Sequence, residues 1–196
     1  MEPYFFLIGI KRCRVPIQAR FWLNPMAEGM LIHNHGSLSE ELMVFLMISV
    51  VVFYTACFFV PRRLSWIEVL TTTLFGLYFE TMTNIFLDLK YDLYGYFNKG
   101  VDTKTLIALL GVYPALNYLL LNLYPAGKGF LQVMVYLLAW DAFSILYEAI
   151  SIKTGVFYYN GWTWWYSAIA YPPIFLILWY NLRFIRWVLK KSGCTV

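Results

Sequence analysis

Five long apolar stretches, separated by short polar connections, constrain the fold of this 196-residue chain more than any other feature. They cover residues 42–60, 65–89, 105–124, 130–152 and 165–188. Each is close to the ~20 residues that cross a hydrocarbon layer about 30 Å thick as an α-helix. Only 13% of the residues are charged, whereas a water-soluble domain carries about 25%. We therefore predict an all-α, polytopic transmembrane bundle of about five helices.

The chain is long enough for one membrane domain, which we place at residues 42–190. Residues 1–41 are predicted to be an interfacial or loosely ordered leader, and residues 191–196 a cytoplasmic tail. His33 and His35 form an HxH pair in the leader, but no third ligand lies nearby, so we predict no metal site and no cofactor. The cysteines are far apart and form no CxxC motif, which argues against a disulfide framework. They are Cys13, Cys57 and Cys194.

The basic residues predict the orientation of the chain. If the C-terminus is cytoplasmic, seven basic residues lie in inner segments: Arg62, Arg63, Lys128, Arg183, Arg186, Lys190 and Lys191. Four lie in outer loops: Lys90, Lys99, Lys104 and Lys153. Four more, in the leader, favour the opposite orientation: Lys11, Arg12, Arg14 and Arg20. Cytoplasmic segments carry the excess of Lys and Arg. The leader residues lie more than about 20 residues from the first span, where this rule loses force, so we place the N-terminus outside and the C-terminus inside. Basic residues at the ends of apolar runs indicate membrane lipids as partners and exclude nucleic acid.

Acidic residues inside the spans are the candidates for function. A charged group at the centre of a membrane helix costs about 2.5–3.5 kcal/mol on insertion scales, so such residues rarely persist without a role. In the second span Glu80, Asn84 and Asp88 are spaced by four, which places them on one stripe of a helix. In the fourth span Asp141 and Glu148 are seven apart and nearly eclipsed. Both acidic faces must turn away from lipid, and we expect them to face each other.

No Lys, Arg or His lies in the middle of any span. The carboxyl groups are therefore either protonated or paired with a cation or a polar ligand. We interpret Glu80, Glu148 and Asp141 as catalytic candidates. Ligand-binding candidates on the helices are Asn84, Asp88, Ser144 and Asn117. The alternative for Asn84, Asn117, Ser144 and Asn181 is simple hydrogen bonding between helices, worth about 1 kcal/mol per contact.

The segment 157–166 is unusually rich in aromatic residues. Tyr158 and Trp162 could cover the acidic pocket as a roof, and we include both as ligand-binding candidates. The residues Trp164 to Tyr166 are explained by the interfacial belt that Trp and Tyr form at the level of the lipid headgroups. The sequence Tyr171-Pro172-Pro173 is expected to bend the last helix or to delay its start.

A weak internal repeat links the second and fourth spans. Asp88 precedes Gly95 by seven residues, as Glu148 precedes Gly155, and each glycine is followed by an aromatic pair or near-pair and an Asn. Each unit then enters a proline-containing span, at Pro114 and at Pro172. The pattern suggests duplicated helix pairs, with coincidence as the alternative.

Most of the chain after residue 41 resembles an uncharacterised family of small multi-spanning membrane proteins of Bacillus-like and Clostridium-like bacteria. The residues that carry the resemblance are Trp140-x2-Phe143-Ser144-x2-Tyr147-Glu148, Gly155-x-Phe157-Tyr158-Tyr159-x2-Trp162, Tyr94-Gly95-Tyr96-Phe97 and Pro114-x2-Asn117. The resemblance implies a bacterial plasma membrane and no particular activity.

One helix–loop–helix unit also resembles membrane carotenoid hydratases and lycopene cyclases. The shared features are Glu148 at a helix end, Lys153-Thr154-Gly155 and Tyr158-Tyr159, followed by a proline-containing span. The resemblance implies that a buried acid protonates a polyene. The spacing Asn84-x3-Asp88-x3-Asp92 is similar to the aspartate motif of intramembrane prenyltransferases, but a second such motif is missing.

These observations lead to three hypotheses. The first is an intramembrane pocket that binds or modifies a lipid-like, isoprenoid ligand through Glu80 and Glu148. The second is a proton- or cation-coupled transporter, which would require a homo-oligomer because the chain has no clear inverted repeat. The third is an accessory scaffold, in which the polar faces only join helices.

Overall fold

The computed structural model describes residues 25–97 and 103–193. These residues form an α-helical bundle with one small two-stranded sheet, which confirms the predicted fold class. The elements are α1 (Pro25–Phe59), α2 (Trp66–Asn84), β1 (Tyr94–Tyr96), α3 (Thr103–Ile107), α4 (Tyr113–Asn122), α5 (Phe130–Lys153), β2 (Phe157–Tyr159) and α6 (Trp164–Lys191). All contacts described below lie within the compact unit Glu40–Val196.

Four helical stretches are long and apolar enough to cross a membrane. They are Leu42–Phe59, Lys104–Asn122, Phe130–Lys153 and Trp164–Lys191. Large apolar side chains cover the outside of the bundle: Phe58, Phe59 and Phe130 are 83%, 78% and 81% exposed. A surface of this kind suits lipid as the solvent. The chain is a multi-pass membrane protein.

The second predicted span differs from the other four. Its helix, α2, is not among the stretches that meet the length and composition of a membrane span. Glu68, Glu80 and a run of threonines at 71–73 make it more polar. It packs against α4 and α6, so protein rather than lipid can cover its polar groups.

Two spans contain π-helical segments. The segment Ile85–Lys90 extends α2, and the segment Ala108–Val112 joins α3 to α4. The second of these ends at Val112, two residues before Pro114, which has no N–H to complete the α-helical hydrogen-bond pattern. In contrast, α6 begins at Trp164 and continues through Pro172 and Pro173. The expected delay of that helix is therefore wrong.

Several predictions fall on parts of the chain outside the description. The structure does not describe residues 1–24, 98–102 and 194–196. Cys13, Lys99 and Cys194 lie in these segments. His33 and His35 lie on α1, which begins at Pro25, but their side chains are not described. The structure therefore leaves the leader and the HxH pair as predictions.

One end of the bundle is basic, and a buried ion pair and an amide clamp hold it together. We call it the basic end: the connection 60–65, the connection 123–129 and the last turns of α6. Ser65 and Glu68 form a capping box at the start of α2. The 1% exposed Glu68 also binds Arg186 of α6, with Nε 2.5 Å from Oε1.

The amide clamp is Asn122, which is 1% exposed. Its Oδ1 accepts a hydrogen bond from the backbone N–H of Arg63 at 2.7 Å, and its Nδ2 donates to the carbonyl oxygen of Pro61 at 2.9 Å. Both partners belong to the connection between α1 and α2. One side chain at the end of α4 therefore fixes the path of that connection.

We expect Asn122→Leu to lower the free energy of unfolding by about 2 kcal/mol, because the substitution removes both partly buried hydrogen bonds, to the N–H of Arg63 and the carbonyl of Pro61. For a chain of this length that corresponds to a melting temperature about 4–8 °C lower, measured on the detergent-purified protein. Asn160→Leu is the control, since the hydrogen bond from Asn160 to Asp92 is solvent-exposed. Equal melting temperatures for wild type and Asn122→Leu would contradict the clamp.

Candidate functional site

A small sheet closes the opposite end of the bundle, which we call the sheet end. β1 follows α2 and β2 follows α5, and the two pair antiparallel with Tyr94 opposite Tyr159 and Tyr96 opposite Phe157. Side chains two apart on a strand share a face. The rings of these four residues form one continuous aromatic layer, with centroids 5.1–6.4 Å apart for the contacting pairs. This layer faces the helices.

Glu148, at 8% exposure, accepts three hydroxyl hydrogen bonds. Tyr159 of β2 and Ser167 of α6 donate to Oε1, the latter at 2.7 Å, and Tyr171 of α6 donates to Oε2 at 2.5 Å. Ser167 in turn accepts from Trp162 Nε1 at 2.9 Å. The Glu148 carboxyl group of α5 is thus hydrogen-bonded both to the sheet and to α6.

Glu80 has a similar set of partners. Asn84 donates to Glu80 Oε1 at 3.1 Å, and Tyr94 donates to Asn84 Oδ1 at 2.9 Å. The hydroxyl groups of Tyr96 and Tyr113 lie 2.6 Å apart, and both tyrosines line the same cavity as Glu80. The carboxyl group on α2 thus lies beside β1 and α4.

The two carboxyl groups are held in the same way. Each lies near one tyrosine from the strand that follows its helix and one tyrosine that directly precedes a proline in a later helix. Glu80 has Tyr96 and Tyr113-Pro114, and Glu148 has Tyr159 and Tyr171-Pro172. The two strands also pair with each other, as equivalent parts of duplicated units could. This correspondence pairs Glu80 with Glu148, whereas the repeat in the sequence aligns Asp88 with Glu148, so the two do not share a register.

The strand tyrosines stay protonated at neutral pH. Burial raises the pKa of Tyr94, Tyr96 and Tyr159 well above its ordinary value, and the nearby glutamates raise it further. Each hydroxyl group therefore keeps a proton that it can donate, which Tyr94 gives to the amide oxygen of Asn84 and Tyr159 to the carboxyl group of Glu148.

Glu80 and Glu148 line a single cavity of about 210 Å³. Most of its other lining side chains are apolar, and they come from α1, α2, the π-helical segment Ala108–Val112, α4, α5, α6 and the sheet. Leu46 of α1, Phe143 of α5 and Phe175 of α6 are examples. For comparison, an engineered apolar cavity of about 150 Å³ binds benzene. The cavity can hold an organic group somewhat larger than one ring, beside two carboxyl groups.

Two further predicted residues line the same cavity, Ser144 and Asn117. Asn117 Nδ2 donates to the backbone carbonyl of Thr72 at 3.0 Å, which joins α4 to α2 as the helix-bonding alternative proposed. Gly76 makes room for this amide, because a Cβ there would lie 3.2 Å from Nδ2. Asn117 Oδ1 is buried without a hydrogen-bond partner among the described residues.

Asp141 does not line the cavity. The cavity-facing stripe of α5 runs from Trp140 through Tyr147 to Ser151, with Glu148 at its edge. Seven residues advance a helix by about 700°, or 20° short of two turns, which places Asp141 just beyond that edge. Its Oδ1 is buried and has no hydrogen-bond partner within the described ranges. The structure therefore does not bring Asp141, predicted as a catalytic residue, into the cavity lining with Glu80 and Glu148.

Asn84 and Asp88 are also absent from the cavity lining. Asn84 donates a hydrogen bond to Glu80 without lining the cavity itself. Asp88 lies in the π-helical segment Ile85–Lys90. There the i, i+4 stripe predicted for a regular helix no longer holds, since hydrogen bonds join residues five apart. Asp92, the last residue of the prenyltransferase-like spacing, accepts from Asn160 at 2.9 Å. The described residues contain no group of three or more His, Cys, Asp and Glu side chains that could hold a metal.

The two predicted roof residues have different positions from those expected. Tyr158 alternates with Phe157 and Tyr159, so it lies on the opposite face of the sheet, where it covers Gly95. Trp162 contacts the ring of Tyr94 at 5.6 Å and reaches Glu148 only through Ser167. Trp164, Trp165 and Tyr166 are 49–60% exposed, as the interfacial belt predicts.

Sequence reasoning missed the four tyrosines that hold the carboxyl groups. The Tyr-Pro pair occurs at 113–114, 124–125 and 171–172, and the first and last of these pairs contain two of the four tyrosines. It also missed Glu68, although Ser65-x-x-Glu68 is a capping-box pattern. No signal in the sequence identifies Tyr96 and Tyr159, because their role depends on how the two strands pair.

Comparison of the chain with protein-family models, with curated proteins and with solved structures finds no match.

Proposed function

We propose that this protein binds a lipid-like, isoprenoid ligand in the cavity between α2, α4, α5 and α6. The observation that carries the proposal is that Glu80 and Glu148, on two different helices, open onto one cavity with a largely apolar lining. An apolar lining with few polar groups is typical of small-molecule sites. Because the cavity is small, we expect it to take one end of the ligand, with the rest lying between helices or in the bilayer.

The two glutamates also suit acid–base chemistry on such a ligand. A protonated carboxyl group can transfer its proton to a carbon–carbon double bond, and the carboxylate of the second glutamate can then face the carbocation that results. The tyrosine hydroxyl groups keep both carboxyl groups in position. Asp141 has no part in this scheme, because it lies outside the cavity lining.

Proton-coupled transport is less well supported by the hydrogen bonds around the site. The chain of contacts from Glu148 outward ends at the indole N–H of Trp162, which only donates. The chain from Glu80 to Tyr94 passes through the amide of Asn84, which does not exchange protons readily. Neither chain makes a good proton wire.

We also propose a bacterial plasma membrane as the location, with the basic end in the cytoplasm and the sheet end outside. The support is the excess of Lys and Arg at the basic end. In this orientation the two glutamates lie toward the outer half of the bilayer.

The proposal predicts that a specific isoprenoid or other lipid copurifies with the wild-type protein and is lost at least tenfold in Glu80→Gln/Glu148→Gln. The reason is that the double substitution removes both acidic groups and keeps the size of the side chains. Native mass spectrometry of detergent-purified protein, with analysis of extracted lipid, measures the bound ligand.

Asp141→Asn is the matched control, since it neutralises an intramembrane carboxyl group of α5 outside the cavity, and it should retain the ligand. If all three proteins carry only the same bulk phospholipid, the binding proposal is wrong. Proton flux in liposomes and assembly with partners would then test the transport and scaffold hypotheses.

A further inference from the structure

The basic end of the bundle carries a second feature that the cavity does not use. Seven basic residues gather there from three segments of the chain: Arg62, Arg63, Lys128, Arg183, Arg186, Lys190 and Lys191. The only acidic residue that the described part of the chain places at this end is Glu68, which is 1% exposed and bound to Arg186. The surface at this end is therefore strongly positive.

Contacts between elements hold these segments together. Asn122 binds the connection that contains Arg62 and Arg63. Tyr124, which follows α4, stacks on Trp179 of α6 with ring centroids 4.9 Å apart. The basic residues consequently belong to one rigid surface rather than to independent tails.

Three of the cations lie over tryptophan rings. The guanidinium carbon of Arg62 lies 3.9 Å from the ring centroid of Trp66, that of Arg183 lies 5.0 Å from Trp179, and Lys191 Nζ lies 4.7 Å from Trp187. Trp66 and Trp187 are exposed, at 75% and 54%. Trp at a membrane surface sits at the level of the lipid headgroups. Arg62 and Lys191, which lie over these two rings, are therefore expected at the level of the lipid phosphates, and Arg183 lies about two turns earlier in α6.

Arg62 is the most rigidly held of the three. Its Nε donates to the carbonyl oxygen of Leu64 at 2.7 Å while its guanidinium plane rests against Trp66. Because Nε is already used, the two terminal nitrogens remain to bind the oxygens of a phosphate, as arginine often does. A side chain that is already fixed loses less conformational entropy on binding than a free arginine does.

We propose that the basic end is a binding site for the phosphate headgroups of anionic phospholipids, formed by Arg62, Arg183 and Lys191 on their tryptophans. Clusters of four to eight basic residues next to a membrane helix attract anionic lipid, at about fivefold in affinity for each Lys or Arg. The sheet end offers no such excess, because Lys90, Lys104 and Lys153 are accompanied there by Asp88 and Asp92.

The test titrates the detergent-purified protein with dioleoyl phosphatidylglycerol and with dioleoyl phosphatidylcholine, and counts bound lipids by native mass spectrometry. We expect the wild type to bind phosphatidylglycerol more tightly. In Arg62→Gln/Arg183→Gln/Lys191→Gln, that affinity should fall on the order of a hundredfold, while phosphatidylcholine binding is unchanged. The preference should also weaken at high salt, because the site is exposed.

The matched control is Lys90→Gln/Lys104→Gln/Lys153→Gln, which removes the same charge from the sheet end and should keep the preference. The proposal is overturned if the two triple variants lose phosphatidylglycerol equally, or if the wild type binds both lipids alike. The second outcome needs no variant, so poor folding of a variant does not block the test. Cavity binding through Glu80 and Glu148 is measured separately and does not depend on either result.

Discussion

Arg186→Leu is expected to destabilise the protein by about 3 kcal/mol, one of the two largest effects that the structure predicts. The substitution leaves Glu68, which is only 1% exposed, as a buried carboxyl group without its ion-pair partner. Breaking a buried pair in this way costs about 3–5 kcal/mol, and we take the lower limit because the Arg186 side chain is 43% exposed. The melting temperature in detergent should fall by about 6–12 °C.

The two partners of this ion pair should respond unequally. Glu68→Gln keeps the capping box, since glutamine also serves at that position, and it leaves an arginine that water can solvate. We therefore expect Glu68→Gln to cost less than Arg186→Leu, and Arg186→Leu to cost little in a Glu68→Gln background. Arg183→Leu is the control for loss of a basic residue from α6. Equal and additive effects of the two single substitutions would argue against a buried pair.

Gly95→Ala should open the sheet end, with an expected cost of about 3 kcal/mol and loss of the cavity ligand. A Cβ on Gly95 would lie 2.6 Å from Cζ and 2.9 Å from Cε1 of Tyr158, so the ring or the strand must move. Overpacking of this kind costs about 1–3 kcal/mol. Movement of β1 against β2 would also shift the hydroxyl groups of Tyr96 and Tyr159 away from Glu80 and Glu148. Thermal melting and analysis of copurified lipid measure the two effects.

A second substitution should rescue the sheet. In Gly95→Ala/Tyr158→Ala the obstructing ring is absent, so we expect much of the stability and the ligand to return. Gly129→Ala is the control, because nothing lies within 4 Å of a Cβ at that position. If Tyr158→Ala fails to restore Gly95→Ala, the contact between the two strands is not the cause of the damage.

The helices were predictable because each is defined by a local property of the sequence. Predicted spans at 130–152 and 165–188 correspond to α5 (Phe130–Lys153) and α6 (Trp164–Lys191) within a few residues. A run of about 20 apolar residues is enough to require a helix in lipid, whatever its neighbours are. The π-helical segments were not predicted, because they depend on small adjustments of the backbone to proline and to packing.

The candidate site was predictable only in part. Helical spacing identified Glu80 and Glu148, and both side chains line one cavity in the structure. The same spacing placed Asp141 beside Glu148, although a 20° drift over seven residues is enough to remove it from the lining. Tyr158 was selected for its aromatic ring, but strand alternation directs that ring to the far side of the sheet.

The sequence by itself determined that this chain is a helical membrane protein with acids in two of its helices. The hydropathy of a segment and the free-energy cost of placing a charged side chain in the membrane are properties of that segment alone. They do not depend on how the segments pack against one another. Only the tertiary structure decided which groups hold those acids. The partners of Glu148 are Tyr159 and Tyr171, 11 and 23 residues away, and the pairing of β1 with β2 joins residues more than 60 apart. Contacts of that kind arise from packing, and no local pattern encodes them.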